Sequence, residues 1–208
     1  MKPLITVALP KGRLGNEVCE KFKIAGYSMD ETISDTRKLI FEDENLGVRF
    51  FWAKPSDVHV YVERGAADVG IIGKDILLEY EPDVYELLDL EIGKCKICVA
   101  AKEDFFDNKA KTLRVATKYK TIAKEYYMSK GRKIDIITLN GSIEIAPLLN
   151  LSDVIVDIVE TGKTLKENNL VIVDKIIDVS ARFIVNKSSY RFKEKEINKL
   201  KQALESRG

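Results

Sequence analysis

One histidine, His59, and three cysteines, Cys19, Cys95 and Cys98, are all that 208 residues offer of the side chains most used in nucleophilic relays and zinc sites. No Ser-His-Asp or Cys-His arrangement can be drawn from so few, which disfavours a covalent enzyme intermediate. Zinc would need ligands beyond a cysteine pair. The sequence also lacks any run approaching about 18 apolar residues, so no membrane span is expected. Its opening, MKPLITVALPKGR, has a short apolar run without the length or cleavage site of a signal peptide. An odd cysteine count without a secretory signal points to free thiols in a reducing compartment, hence a cytoplasmic protein. Charge of one sign is missing as well: 34 Lys and Arg stand against 33 Asp and Glu, a formal net charge of +1. That balance gives nucleic acid no bulk attraction, although a local basic pocket can still hold a small anion.

The pair Cys95-Lys96-Ile97-Cys98 has two readings. A redox or metal site would need it on a helix start or a knuckle. It lies instead in KCKICVAA, which reads as a strand, where positions three apart point to opposite faces. The ordinary structural reading is the expected one.

What the chain has in quantity is apolar residues, 45% of the total, enough for a packed core and too many for a disordered or fibrous protein. Its length suits one large domain or two of about 100 residues each. Strands and helices alternate. LITVAL (4–9) reads as a buried strand, followed by a helix with Leu14, Val18, Phe22 and Ala25 on one face and Gly26 at its end. Strands are expected at 37–41 and 48–53, a short helix after Pro55-Ser56 stopped by Gly65, and a strand at 67–72 ending in Gly73-Lys74-Asp75. Then the plan restarts: strand 112–119, a helix with Ile122, Ala123 and Tyr126 closed by Gly131, strand 134–138, helix 142–149, strand 154–158. VIVDKII, VSARFIVN and a helix aligning Ile197, Leu200 and Leu204 complete the chain. ADVGIIGKD echoes SDVIVDIVETGKT, so two α/β units of similar design are expected. Near-continuous apolar strands alternating with helices imply mostly parallel sheets covered on both faces, with a cleft where strand ends and glycine turns meet.

Three junctions combine glycine with charge or hydroxyl: Pro10-Lys11-Gly12-Arg13, Gly73-Lys74-Asp75 and Glu160-Thr161-Gly162-Lys163-Thr164. Backbone N–H groups at a helix start, a close glycine, hydroxyls and a lysine together suit a phosphate. The last of them is not a nucleotide-binding P-loop, since G-x-x-x-x-G-K-T requires glycine at 157 and the residue is Asp157. An acid shortly before a Thr-Gly-x-Thr turn suits a ribose 5-phosphate instead, with the turn on the phosphate and the carboxylate on sugar hydroxyls. The plainer alternative is that Asp157 caps a turn and the threonines cap a helix.

KGRLG (11–15), DVHVYVERGAADVGIIGKDIL (57–77), GKCKICVA (93–100), RVATKY (114–119), LNGSIEIAPLLNLSDVIVDIVETGKTLKENNL (139–170) and SARFIVNKSS (180–189) together resemble ATP phosphoribosyltransferase, the first enzyme of histidine biosynthesis, in its short, catalytic-only form. The resemblance covers essentially the whole chain. It implies an α/β, two-lobe type II periplasmic-binding-protein-like fold with an interlobe cleft. Lobe I would comprise 1–90 and 176–208; lobe II, 91–175, would carry the phosphoribosyl-diphosphate loop. It implies a glycosyltransferase (pentosyltransferase) in which N1 of the ATP adenine displaces diphosphate from 5-phosphoribosyl 1-diphosphate. A histidyl-tRNA-synthetase-like regulatory subunit, a homodimer within a hetero-oligomer, and Mg²⁺ carried by the polyphosphate substrates are implied too; no dedicated metal cluster is visible. On this basis Thr161, Gly162, Lys163 and Thr164 would hold the 5-phosphate and Asp157 the ribose hydroxyls. Glu160 either shares that role or stabilises the helix start. Lys11, Gly12, Arg13 and Arg49 are candidates for the diphosphate and the ATP phosphates, with Lys11 also a catalytic candidate; Arg49 could equally be a solvent-facing strand residue. At His59 the family usually has proline, which is optional at a helix start, and an exposed helix-turn histidine is expected. The rival class is a two-lobe binding or sensing protein without activity.

Overall fold

The computed structural model describes residues 4–29, 38–43 and 46–205. Eleven strands and seven helices are resolved among them. In chain order they are β1 Ile5–Pro10, α1 Arg13–Ile24, β2 Ile40–Asp43, β3 Val48–Ala53, α2 Val58–Glu63, β4 Val69–Gly73, α3 Lys74–Tyr80, β5 Val84–Asp89 and β6 Cys95–Lys102. They continue with β7 Leu113–Thr117, α4 Lys120–Ser129, β8 Ile134–Thr138, α5 Ile145–Leu148, β9 Val154–Val159, α6 Lys163–Glu167, β10 Leu170–Val179, β11 Ala181–Asn186 and α7 Lys187–Glu205. The strand expected at 37–41 begins at Ile40; Arg37 lies outside the described residues.

The chain divides into two compact units. One comprises Met1–Leu77, Glu81–Gly93 and Ser180–Gly208; the other comprises Leu78–Tyr80 and Lys94–Val179. The boundaries fall at 93/94 and 179/180, with the last turn of α3 grouped in the second unit. The first unit holds a six-stranded sheet in the order β2-β3-β1-β4-β11-β5, the second a five-stranded sheet in the order β10-β6-β9-β7-β8.

The expectation of mostly parallel sheets is corrected: both sheets are mixed. Only β1–β3, β1–β4, β7–β8 and β7–β9 run parallel; the other five pairings are antiparallel. The parallel core of each sheet is the part built by strand–helix–strand crossovers. The antiparallel strands β11, β10 and β6 are long-range pairings or chain returns, which a periodicity of apolar residues cannot orient.

Alternation along the strands builds each core. In the first unit Val7, Leu9, Ile71 and Phe183 face α1 and α7, where Val18, Phe22, Ile197, Leu200 and Leu204 complete one cluster. The intervening Ala8, Ile72 and Ile184 face the other way, onto Val58 and Val62 of α2. In the second unit Val99, Val115, Val154 and Val156 pack on Ile122, Ala123 and Tyr127 of α4. Ala100, Ala116 and Ile155 pack on Ile143, Ala146 and Leu165. Cys95 borders the first of these clusters and Cys98 lies in the second, so the pair points to opposite faces. All three cysteines are free thiols, and burial pushes Cys98 upward in pKa and Cys19 up to about 12, far from a reactive thiolate.

The echo between the two halves of the sequence has a structural counterpart. Asp68, one residue before β4, accepts the Thr6 N–H on its carboxylate (2.9 Å) and donates its own N–H to the Thr6 carbonyl (2.8 Å). Asp153, one residue before β9, does the same with Arg114 (2.8 and 2.9 Å). Thr6 and Arg114 are each the second residue of their strand. Each carboxylate then meets a cation: Lys193 at 2.8 Å in one unit, the Arg114 guanidinium at 2.6 Å in the other.

The Arg114 guanidinium and N–H hold the Asp153 carboxyl below the usual carboxylate range, against the opposing effect of burial. A depressed folded-state pKa contributes stability above the unfolded value near 3.9 and loses it as pH falls through the folded value. Asp153→Asn is therefore expected to lower stability at pH 7 by about 1–2 kcal/mol. The gap from the parent should narrow as pH falls below about 4. Urea unfolding at the two pH values checks this; a gap that persisted unchanged in acid would contradict it.

Candidate active site

In the second unit β9 runs out through Asp157, Ile158 and the buried Val159 into an exposed turn, Glu160–Gly162, before α6. Val159 and Leu165 anchor the turn from either side by packing into one apolar cluster. Between these anchors Thr161, Lys163 and Thr164 are exposed. Gly162 has φ +75°, a left-handed conformation that glycine adopts without the cost a Cβ would bring. The Lys163 N–H donates to Thr161 Oγ1 at 3.4 Å, the Lys166 N–H to the Gly162 carbonyl at 3.1 Å, and Lys163 Nζ lies 3.8 Å from Glu167.

Asp157 stands three residues before the turn, with its side chain 17% exposed. Its Oδ1 accepts the Ile158 N–H at 2.8 Å and lies 4.0 Å from Lys118 Nζ. The neighbouring strand end is fixed by Thr117, whose buried hydroxyl donates to the Val156 carbonyl (2.6 Å) and accepts the Tyr119 N–H (2.8 Å). Lys118 follows directly, exposed, its ammonium 4.7 Å from the centre of the Tyr119 ring. The start of α4 next to it already holds an anion. The Glu79 carboxylate, 7% exposed, accepts the N–H of Thr121 (3.0 Å) and of Ile122 (3.3 Å). The Thr121 and Ile122 N–H groups at that helix start are thereby already taken.

In the first unit Lys11, Gly12 and Arg13 sit together, exposed, at the junction of β1 and α1. The Lys11 N–H donates to the Ala53 carbonyl (2.8 Å), and Arg13 Nε lies 3.7 Å from Glu17. The junction is tight because α1 passes close to the strand it follows: a Cβ at Gly15 would lie 1.9 Å from the Pro10 carbonyl oxygen and 2.5 Å from Trp52. Arg49 is not part of this group. It pairs in register with Thr6 near the start of β1, whereas Lys11 follows its end, roughly 16 Å away at about 3.3 Å per residue. Its guanidinium binds Glu42 across the β2–β3 pair at 2.6 Å. The junction Gly73-Lys74-Asp75 is closed as well. Lys74 Nζ binds Glu86 at 2.5 Å, its N–H bonds the Ser180 carbonyl, and the Asp75 carboxylate folds back over Gly73.

His59 departs from expectation. It is 7% exposed rather than an open helix-turn residue, because α2 lies flat against the sheet and covers the neighbour of Val58. Burial lowers its pKa below the usual 6.5, against the pull of Glu63 and Asp57, so the imidazole is neutral at pH 7.

No cluster of three or more His, Cys, Asp or Glu with metal-binding geometry occurs among the described residues. No described helix is long and apolar enough to cross a membrane.

Comparison with known proteins bears on this arrangement. The family model described as ATP phosphoribosyltransferase (HisG) matches residues 54–206. ATP phosphoribosyltransferase of Brachyspira hyodysenteriae is 58% identical over 191 residues, 91% of this chain and 93% of that protein. The Clostridioides difficile enzyme is 54% identical, with 94% of each chain covered. Among solved structures, the ATP phosphoribosyl transferase (HisG:HisZ) complex from Thermotoga maritima contains a chain that superposes with a TM-score of 0.83 at 35% identity, covering 98% of this chain and 97% of that one. These matches correct the enzyme class expected from the sequence. The label glycosyltransferase gives way to phosphoribosyltransferase, the class that the family model and the relatives name. Nearly end-to-end coverage of these relatives, the chain of a two-component complex among them, settles the assignment: this chain belongs to the ATP phosphoribosyltransferase family, in its short, catalytic-subunit form, the first enzyme of histidine biosynthesis.

Proposed function

We propose that the β9–α6 turn and Asp157 form the site for 5-phosphoribosyl 1-diphosphate, and that the chain transfers its phosphoribosyl group to N1 of the ATP adenine. The observation that carries this reading is the pairing of a half-buried carboxylate with an exposed Thr-Gly-Lys-Thr turn at one strand end, the turn pinned by Val159 and Leu165. The hydroxyls of Thr161 and Thr164, the ammonium of Lys163 and the N–H groups around Gly162 receive the 5-phosphate. Asp157 accepts hydrogen bonds from the ribose hydroxyls and opposes the positive character that develops at carbon 1 as its bond to diphosphate breaks. Glu160 adds negative charge beside it. The adenine N1–C1 bond forms as the diphosphate departs with the electron pair. Adenine N1 is a weak nucleophile, so most of the acceleration comes from alignment, worth about 7–11 kcal/mol in favourable cases.

Lys11, Gly12 and Arg13 serve the polyphosphate groups, which enter as their magnesium complexes with the ion carried by substrate oxygens. The Thermotoga relative is solved as a HisG:HisZ complex. By the same logic this chain works as a homodimer within a hetero-oligomer containing a histidyl-tRNA-synthetase-like regulatory subunit, in the cytoplasm.

The T161A/T164A double variant tests the turn. The KM for the phosphoribosyl donor should rise by about 10²-fold, the loss of two hydrogen bonds to a charged group, with the KM for ATP nearly unchanged. Steady-state kinetics with each substrate varied in turn gives both numbers. An unchanged donor KM would remove the turn from the site.

A further inference from the structure

We propose that Lys118 is a further substrate-binding residue, whose ammonium takes an oxygen of the diphosphate on carbon 1. The proposal rests on the reading of the β9–α6 turn and Asp157 as the donor site.

Its basis is topological and geometric. From β7 the chain crosses through α4 to β8 on one side, then returns through α5 to β9 on the other. The parallel ends of β7 and β9 therefore form a switch point, where the two following loops leave in opposite directions and make room for a ligand. Thr117 and Val156 are register partners, so the next residues, Lys118 and Asp157, are the first on each side of that gap. The tie between Thr117 and the Val156 carbonyl keeps the two ends together.

Lys118 Nζ is 4.0 Å from Asp157 Oδ1, beyond hydrogen-bond distance, and its side chain is 41% exposed. It is thus held near the carboxylate by charge rather than locked onto it. The buried Tyr119 ring, 4.7 Å from the ammonium, adds a cation–π attraction that keeps the head group at the strand end.

The chemistry of the donor matches this spacing. If Asp157 receives the hydroxyls on carbons 2 and 3, the diphosphate oxygen on carbon 1 is attached one carbon away. A cation some 4 Å from that carboxylate is then within reach of the leaving group. Asp157 and Glu160 would otherwise repel a polyanionic substrate, and Lys163, beyond the turn, already serves the 5-phosphate on the reading above. Charge placed on the diphosphate stabilises it most as the C1–O bond breaks and negative charge builds up.

The test is a calorimetric titration of the full-length chain with magnesium diphosphate, which needs no turnover, alongside donor and ATP KM values. K118M should weaken diphosphate binding by about 10-fold and K118R by no more than about 3-fold, with thermal unfolding unchanged. T161A/T164A should leave diphosphate binding within about twofold of the parent while raising the donor KM, because it acts on the 5-phosphate. Parent-like diphosphate binding in K118M overturns the assignment of Lys118 even if the threonine pair behaves as expected. A silent threonine pair with weakened diphosphate binding in K118M overturns the donor-turn reading instead. Equal weakening in K118M and K118R also counts against Lys118, since a direct charge contact should be restored by arginine.

Discussion

Asp157→Asn is expected to reduce kcat/KM for the phosphoribosyl donor by about 10²- to 10³-fold, with most of the loss in kcat. On the proposed reading the carboxylate accepts from the sugar hydroxyls and opposes the positive charge that develops at carbon 1. Asparagine preserves its shape and its acceptance of the Ile158 N–H, so the strand end should survive. Thermal unfolding should therefore shift by only a few degrees. The substitution also removes the charge facing Lys118, so the apparent affinity for diphosphate should stay level or rise. Parallel loss of rate and diphosphate affinity would mean that Asp157 acts by supporting the site's shape. Steady-state kinetics and diphosphate inhibition of the same preparation separate the two.

Gly15→Ala should produce the largest effect of any single methyl group in the first unit. The new Cβ would sit 1.9 Å from the Pro10 carbonyl oxygen, backbone that cannot swing aside, and 2.5 Å from the Trp52 ring. Either α1 lifts off the end of β1 or the junction between them is rebuilt. Overpacking of this kind costs about 1–3 kcal/mol. Because that junction is Lys11-Gly12-Arg13, catalytic efficiency should also fall by at least about 10-fold in the fraction that folds. Urea denaturation measures the first effect; activity normalised to folded protein measures the second. A fully stable, fully active variant would show that this junction has no part in placing its cations.

Much of this was legible in the sequence because burial imposes a period. Ile197, Leu200 and Leu204 align at helical spacing and are all buried; Val7 and Leu9 alternate with Ala8 and face opposite layers. Cys95 and Cys98 could be assigned to opposite faces from strand geometry alone. Direction was not legible. Nothing in VSARFIVN says that β11 enters its sheet antiparallel to β4, because the choice depends on a partner more than 100 residues away. β5, with its mostly half-exposed pattern on a sheet edge, carries no periodic signal strong enough to mark it. The helix expected over 142–149 shortens to Ile145–Leu148 because Ser142 takes a left-handed φ of +48° before it.

The site divides in the same way. Asp157 and the turn after it stand out in the sequence as a charge and hydroxyls where an apolar run stops. Arg49 carried an equally suitable charge, but its register with Thr6 sets it at the other end of β1 from Lys11. Lys118 had a signal, a lysine at the end of RVATKY in the position of the lysine after VALP. Its meaning depends on β7 and β9 being neighbours, a fact of pairing rather than of composition. Buried His59 gave no warning, since a helix of six residues has no face long enough to define a moment.

The twin aspartates, Asp68 and Asp153, fasten their sheets at the end where the parallel strands begin. At the opposite pole only the flanks are held by the core, by Val159 and Leu165 in one unit and by Gly15 against Pro10 in the other, and the charged residues between stay exposed. The same buckle is followed in one unit by Pro-Lys-Gly-Arg and Gly-Lys-Asp, and in the other by Thr-Lys-Tyr and Glu-Thr-Gly-Lys-Thr. Each half can thus be viewed as a chassis with fittings: the aspartate buckle lies at one pole, and the residues proposed to meet the ligand lie at the other. Substitutions at Lys118 or a graft over residues 160–164, between the buried Val159 and Leu165, should accordingly alter what is bound before they alter whether the unit folds.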